Sequence, residues 1–184
     1  GGRVQEKLRS YTYIYPDIAK GQDDSIYWNA EQSAERAAHY VKLGFTGIKF
    51  DPAAPYSAFD PRQPSLDSMA LCAKFCRLIR EAVGDKADLL FGTHGQFTAS
   101  GAIRFAKQIE PYNPLWFEEP TPPDRPEEMA LVARGTSIPI ATGERLTTKY
   151  EFGRVLEHRA ASILQMALGR VGGIWEAKKI AGMA

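Results

Sequence analysis

Only two of the 184 residues are cysteine, Cys72 and Cys76. That excludes the disulfide framework of small secreted domains. Four residues apart in a helical pattern, the two thiols share one helix face and read as small buried apolar groups. Long hydrophobic runs are also missing: none approaches the ~20 residues that span a bilayer, and the start carries no signal-peptide pattern. The expected compartment is therefore a reducing cytoplasm. Neither sign of charge dominates, with Lys and Arg totalling 23, Asp and Glu 22, and a formal net charge of +1. That balance gives no footprint for nucleic acid or an anionic membrane as the main partner. No Gly-x-Gly-x-x-Gly follows the first strand and no phosphate loop occurs, which counts against a nucleotide-binding sheet. No methionine precedes Gly1-Gly2-Arg3, and the last residues, Ile174 to Ala184, read as helix. The sequence is expected to be a segment of a longer chain.

What is present is an ordinary globular composition, 44% hydrophobic and 24% charged, long enough for one domain with a sizeable core. Apolar β-rich runs alternate with amphipathic helical runs. Strands are expected at Arg9–Tyr15, Gly47–Phe50, Asp88–Phe91, Leu115–Phe117, Pro139–Ala141 and Ser162–Gln165. Helices are expected at Ala30–Leu43 behind an Asn29 cap, from Ser65 to about Val83, and at Ser100–Ile109, Pro126–Arg134, Lys149–Glu157 and Ile174–Ala184. Six strands each followed by a helix predict an α/β fold with a parallel sheet, either an open doubly wound sheet or part of a (β/α)8 barrel. A long loop from Asp51 to Pro64, with Tyr56 and Phe59, suggests a substrate wall or an oligomer contact.

In either architecture ligands gather at the C-terminal ends of the strands. Those ends are polar here: Lys49 and Asp51 after the second, His94 and Gln96 after the third, Glu118 and Glu119 after the fourth, Glu144 and Arg145 after the fifth, Gln165 after the sixth. Charges directly after buried strands are costly unless paired or placed at a site. Glu118 and Glu144 lie one β/α unit apart. Two carboxylates close together need a cation or proton between them, and oxygen ligands suit Mg²⁺. The competing reading is a pair of rim carboxylates bound to Lys49, Arg145 or other cations. His94, flanked by glycines, is a candidate acid/base group or a polar loop residue. Lys49 is a candidate to hold a carboxylate or stabilise an enolate, or else a structural partner of Glu118 or Asp51.

Trp116-Phe117-Glu118-Glu119-Pro120, Ile140-Ala141-Thr142-Gly143-Glu144-Arg145, Gly44–Asp51 and Gly169-Arg170-Val171-Gly172-Gly173 together resemble the enolase superfamily. Within it the resemblance is to mandelate racemase/muconate lactonizing enzymes, nearest the galactonate dehydratase-like sugar-acid dehydratases. The resemblance implies an incomplete (β/α)8 TIM barrel of about six units over residues 1–184, the partial C-terminal catalytic barrel domain, without the α+β capping domain. It implies Mg²⁺ held by Glu118 and Glu144, with His94 and Lys49 catalytic and Asp51, Gln96 and Arg145 at the substrate. The implied partner is a sugar acid, an aldonate or aldarate, and the implied assembly a homo-oligomer. The implied reaction is removal of the proton α to a carboxylate through a metal-stabilised enediolate, then loss of water; cycloisomerisation or epimerisation on the same fold, or a non-catalytic barrel, are the alternatives. Three positions depart from the family pattern: Gly92 stands where a third metal-binding acid is expected, Ala167 where an Asp is expected, and Asp51 where racemases carry a second lysine.

Overall fold

The computed structural model describes residues 2–52 and 63–184. The readings of Tyr56 and Phe59 lie outside the described residues. Six strands form one parallel sheet in sequential order: β1 (Thr12–Tyr13), β2 (Gly47–Phe50), β3 (Asp88–Gly92), β4 (Trp116–Glu118), β5 (Ile140–Thr142) and β6 (Ile163–Leu164). The helices α1 (Ala30–Lys42), α2 (Leu66–Val83), α3 (Ala99–Ile109), α4 (Pro126–Gly135), α5 (Lys149–Glu157) and α6 (Ile174–Met183) follow the strands in turn. Sequential parallel order with a helix in every crossover is the pattern of a (β/α) barrel wall rather than a doubly wound sheet, whose strand order reverses at a switch point. No separate α+β domain occurs among the described residues. None of their helices is long and apolar enough to cross a membrane.

Local sequence explains the boundaries. Asn29, Ser65, Thr98 and Thr148 each accept a backbone N–H in the first turn of α1, α2, α3 and α5, and Thr148 with Glu151 forms a capping box. Because Thr98 caps α3, that helix starts at Ala99 rather than Ser100. The two outer strands are shorter than the sequence implies. Thr12 and Tyr13 pair with Ile48 and Lys49 of a strand only four residues long, so the flanking β-rich residues find few partners. At the other edge Ile163 and Leu164 pair with Ala141 and Thr142 of a three-residue strand.

Alternation sends side chains to two different faces. Ile48, Phe50, Leu89, Phe91, Phe117 and Ile140 point to the helices and join Phe75, Phe105 and Phe152 in the main core. Ring pairs knit this layer: Phe50 and Phe91 at 4.9 Å, Phe105 and Phe117 at 5.6 Å. Each such buried ring contributes roughly 2–3 kcal/mol from area alone. Cys72 and Cys76 are buried and unpaired in the same layer, and burial pushes the Cys72 thiol up. The opposite face carries Gly47, Lys49, Leu90, Gly92, Trp116, Glu118 and Ala141, with Leu90, Trp116 and Ala141 forming a separate small cluster. Tyr11, just ahead of β1, meets Trp116 of β4 edge-to-face with ring centroids 5.5 Å apart. Flat strands ~4.8 Å apart would separate those positions by ~14 Å, so the sheet curls inward on this face.

Candidate functional site

Where the strands end, the concave face holds a cavity of about 490 Å³ lined by Tyr11, Lys49, Trp116, Glu118, Glu144, Gln165, Met166 and Ala167. Lys49 is the third residue of β2 and Glu118 the last of β4, two strands away. The Lys49 Nζ reaches across β3 to donate to Glu118 Oε1 at 2.7 Å, and both side chains are almost fully buried. The second carboxylate oxygen of Glu118 accepts from Trp116 Nε1 at 3.2 Å. The lysine ammonium also lies 5.7 Å from the centroid of the Tyr11 ring. A charge so placed in a dry wall polarises whatever anion enters beside it more strongly than in water.

Glu118 and Glu144 reach the cavity by different routes. In the β4–β5 register Glu118 stands opposite Ala141, so Glu144 comes from the turn three residues further on. Their shared place is the cavity, not the same rung of the sheet. Gly92 does stand opposite Glu118.

His94 and Asp51 sit beside this rim. The His94 Nδ1 lies 3.5 Å from Asp51 Oδ2, with Asp51 nearly buried and His94 about half exposed. The hydrogen bond to Asp51 raises the His94 pKa above 6.5 against the opposing effect of burial, and Glu144 adds to the rise. His94 holds φ of +52° and Glu119 φ of +42°, the left-handed region that costs a non-glycine residue ~1–2 kcal/mol. The neighbouring backbone holds them there. Gly95 N–H donates to the Glu119 carbonyl at 2.6 Å, and Phe97 N–H to the Pro120 carbonyl at 3.2 Å. Buried Thr93 donates its hydroxyl toward the carbonyls of Glu118 and Glu119, 3.1 Å from each. The loop that presents His94 is thus stitched to the end of β4. Gly95 has φ of +70°, and a Cβ there would lie 3.0 Å from Pro122 Cα and collide with the Arg145 guanidinium.

The other sequence candidates fall elsewhere. Arg145 donates from Nε to Glu119 Oε2 at 2.6 Å and does not line the described cavity. Gln96 is buried next to the His94 loop, with its Nε2 unpartnered. Trp116 is a cavity wall that also holds Glu118, and Tyr11 is its ring partner. Gln165 also lines the cavity, and its Oε1 is buried without a hydrogen-bond partner.

Glu118, Glu144 and the free Gln165 Oε1 give the cavity two carboxylates and one amide oxygen. Hard oxygen donors of this kind fit a small divalent cation such as Mg²⁺, which commonly uses one or two carboxylates and keeps several waters. No group of three or more His, Cys, Asp or Glu suited to a metal occurs among the described residues; Gly92, opposite Glu118, contributes no side chain.

Comparison with known proteins places the chain in context. A D-xylonate dehydratase of Haloferax volcanii is 33% identical over 191 residues, covering 100% of this chain and 44% of that protein. The crystal structure of a mandelate racemase/muconate lactonizing enzyme from Sulfitobacter sp. matches with a TM-score of 0.94 and 58% identity, covering 100% of this chain and 46% of that one. A mandelate racemase/muconate lactonizing enzyme-like protein from Roseovarius sp. TM1035 matches at TM-score 0.94 and 56% identity, covering 100% and 46%. The chain spans less than half the length of each. The sequence model of the family described as Enolase C-terminal domain-like matches residues 32–184. With six sequential parallel β/α units and that match over most of its length, the chain belongs to the Enolase C-terminal domain-like family of the enolase superfamily.

Proposed function

We propose that the protein carrying this chain is a Mg²⁺-dependent sugar-acid dehydratase acting at the cavity between Lys49, Glu118 and Glu144. The observation that carries the reading is the juxtaposition of a buried, ion-paired lysine and two acidic side chains with His94, whose pKa is raised by its contact with Asp51. The 33% identity to a D-xylonate dehydratase supports the substrate class.

The chemistry follows from charge. A proton α to a carboxylate is too weakly acidic to leave unless the enediolate that forms is met by positive charge. Lys49 supplies one cation at the cavity wall. Mg²⁺ held by Glu118, Glu144 and Gln165 Oε1 would supply a second positive charge against the substrate carboxylate. His94 is the general acid: the hydrogen bond to Asp51 favours its protonated form, the form that can deliver a proton to a departing β-hydroxyl. The α C–H bond breaks with its proton taken by a base, the β C–O bond breaks, and the hydroxide leaves as water with the His94 proton. The enol product becomes a 2-keto-3-deoxy acid. In this reading Tyr11 and Trp116 exclude water from one side, and Asp51, Gln96 and Arg145 act indirectly, by holding the strand-end loops.

The test is product analysis with a panel of aldonates and aldarates that includes D-xylonate. A product lighter by one water and reactive as an α-keto acid is expected. A product of unchanged formula supports isomerisation or epimerisation instead, and turnover of no sugar acid with Mg²⁺ present contradicts the enzymatic reading.

A further inference from the structure

Gly92 and Lys49 form a matched pair. Gly92 stands opposite Glu118 on the face that lines the cavity. A Cβ built on Gly92 would lie 3.1 Å from Lys49 Cε and 3.8 Å from Lys49 Nζ. The lysine chain therefore runs through the space that any side chain at position 92 would enter, and it ends 2.7 Å from Glu118 Oε1. Gly92 is not among the residues of positive φ, so no backbone strain calls for glycine there. With no side chain at position 92, the path of the ammonium from β2 across β3 to β4 is uncrowded.

An ammonium and a divalent cation cannot both sit against one carboxylate oxygen without strong repulsion. Both carboxylate oxygens of Glu118 already accept a donor: Oε1 from Lys49 and Oε2 from the Trp116 indole. Glu144 and Gln165 Oε1 remain open to the same cavity. We infer that the Lys49 ammonium serves as a built-in cation over Gly92, and that a divalent ion reaches Glu118 only by displacing it. Metal binding is then an exchange of one cation for another. The lysine, once released, is free to turn toward the carboxylate of an incoming substrate. This inference rests on the proposed metal-assisted reading of the site and adds the competitor for it.

The probe is Mn²⁺ alone, titrated into the full protein and followed by calorimetry and electron paramagnetic resonance. Lys49→Met keeps an unbranched chain one atom shorter and removes the charge, and should tighten Mn²⁺ binding tenfold or more. Gly92→Asp, which crowds the lysine off Glu118 and adds a carboxylate, should act in the same direction. In the unaltered protein, Mn²⁺ should raise the rate at which acetic anhydride modifies Lys49, read by mass spectrometry, because the ion pair that shields the amine is broken. That last measurement decides the matter even if a variant fails to fold. Equal Mn²⁺ affinity in the native protein and Lys49→Met, or Lys49 reactivity indifferent to Mn²⁺, overturns the competition and leaves the metal site standing. Absence of Mn²⁺ binding in all forms removes the metal site and the competition together.

Discussion

Arg145 at the end of β5 donates to Glu119 at the end of β4 across 2.6 Å, and Glu119 is 1% exposed. Its other oxygen, Oε1, has no hydrogen-bond partner, so the guanidinium is the main compensation for a buried carboxylate. Arg145→Ala strands that charge and should cost about 3 kcal/mol, as for other buried pairs broken on one side. The double variant Glu119→Gln with Arg145→Met should recover part of the loss. Urea denaturation of the three forms checks both expectations. Because Gly95 N–H donates to the Glu119 carbonyl, Arg145→Ala should also displace the His94 loop, visible as a shifted His94 imidazole resonance.

Gly143 links Thr142 of β5 to Glu144. It holds φ of +129°, and a Cβ would stand 2.6 Å from Phe152 Cε1, deep in the core, and 3.2 Å from the Gln165 backbone. Gly143→Ala is expected to destabilise the fold by about 2–3 kcal/mol through backbone strain and overpacking. It should also weaken whatever Glu144 binds. A thermal melt of the variant is the check; an unchanged midpoint would refute the account of this turn.

His94 carries a pH signature. Its pKa is raised, first by the hydrogen bond to Asp51. Protonated His94 is therefore favoured more in the folded than in the unfolded chain. The stabilisation from this pair is complete below the unfolded value of 6.5 and fades as pH rises through the higher folded value. A ¹H–¹⁵N titration of the imidazole should give a pKa above 6.5 in the native protein and a lower one in Asp51→Asn. Equal values in the two would sever His94 from Asp51.

The order of elements was legible because most helices carry a start signal and each strand its own β-rich run. Asn29 and Ser65 marked helix starts, and Gly47–Phe50 and Lys149–Glu157 have the bounds that the sequence pattern implies. The ends of β1 and β6 were not legible, since pairing depends on how long the neighbouring strand is. The family motifs pointed to Glu118 and Glu144 but could not show that one lies in a strand and the other in a turn. Spacing of one unit gives only the strand, whereas register gives the rung. The course of Lys49 across Gly92 was also hidden, because it depends on a side chain filling the space left by a residue 43 positions away. Nor does sequence reveal that Arg145 turns to Glu119; two neighbouring carboxylates compete for that cation, and only the fold decides between them.

The most direct test follows deuterium at C2 of a sugar acid that the protein consumes. Starting from the C2-deuterated substrate, the account predicts that the label is lost to solvent with a primary isotope effect on turnover. It also predicts that Glu144→Gln slows this loss by about 100-fold or more, the scale of removing one electrostatic contributor to an enolate. Product that keeps its C2 deuterium, or label lost just as fast from Glu144→Gln, would contradict the claim that this cavity abstracts the α-proton.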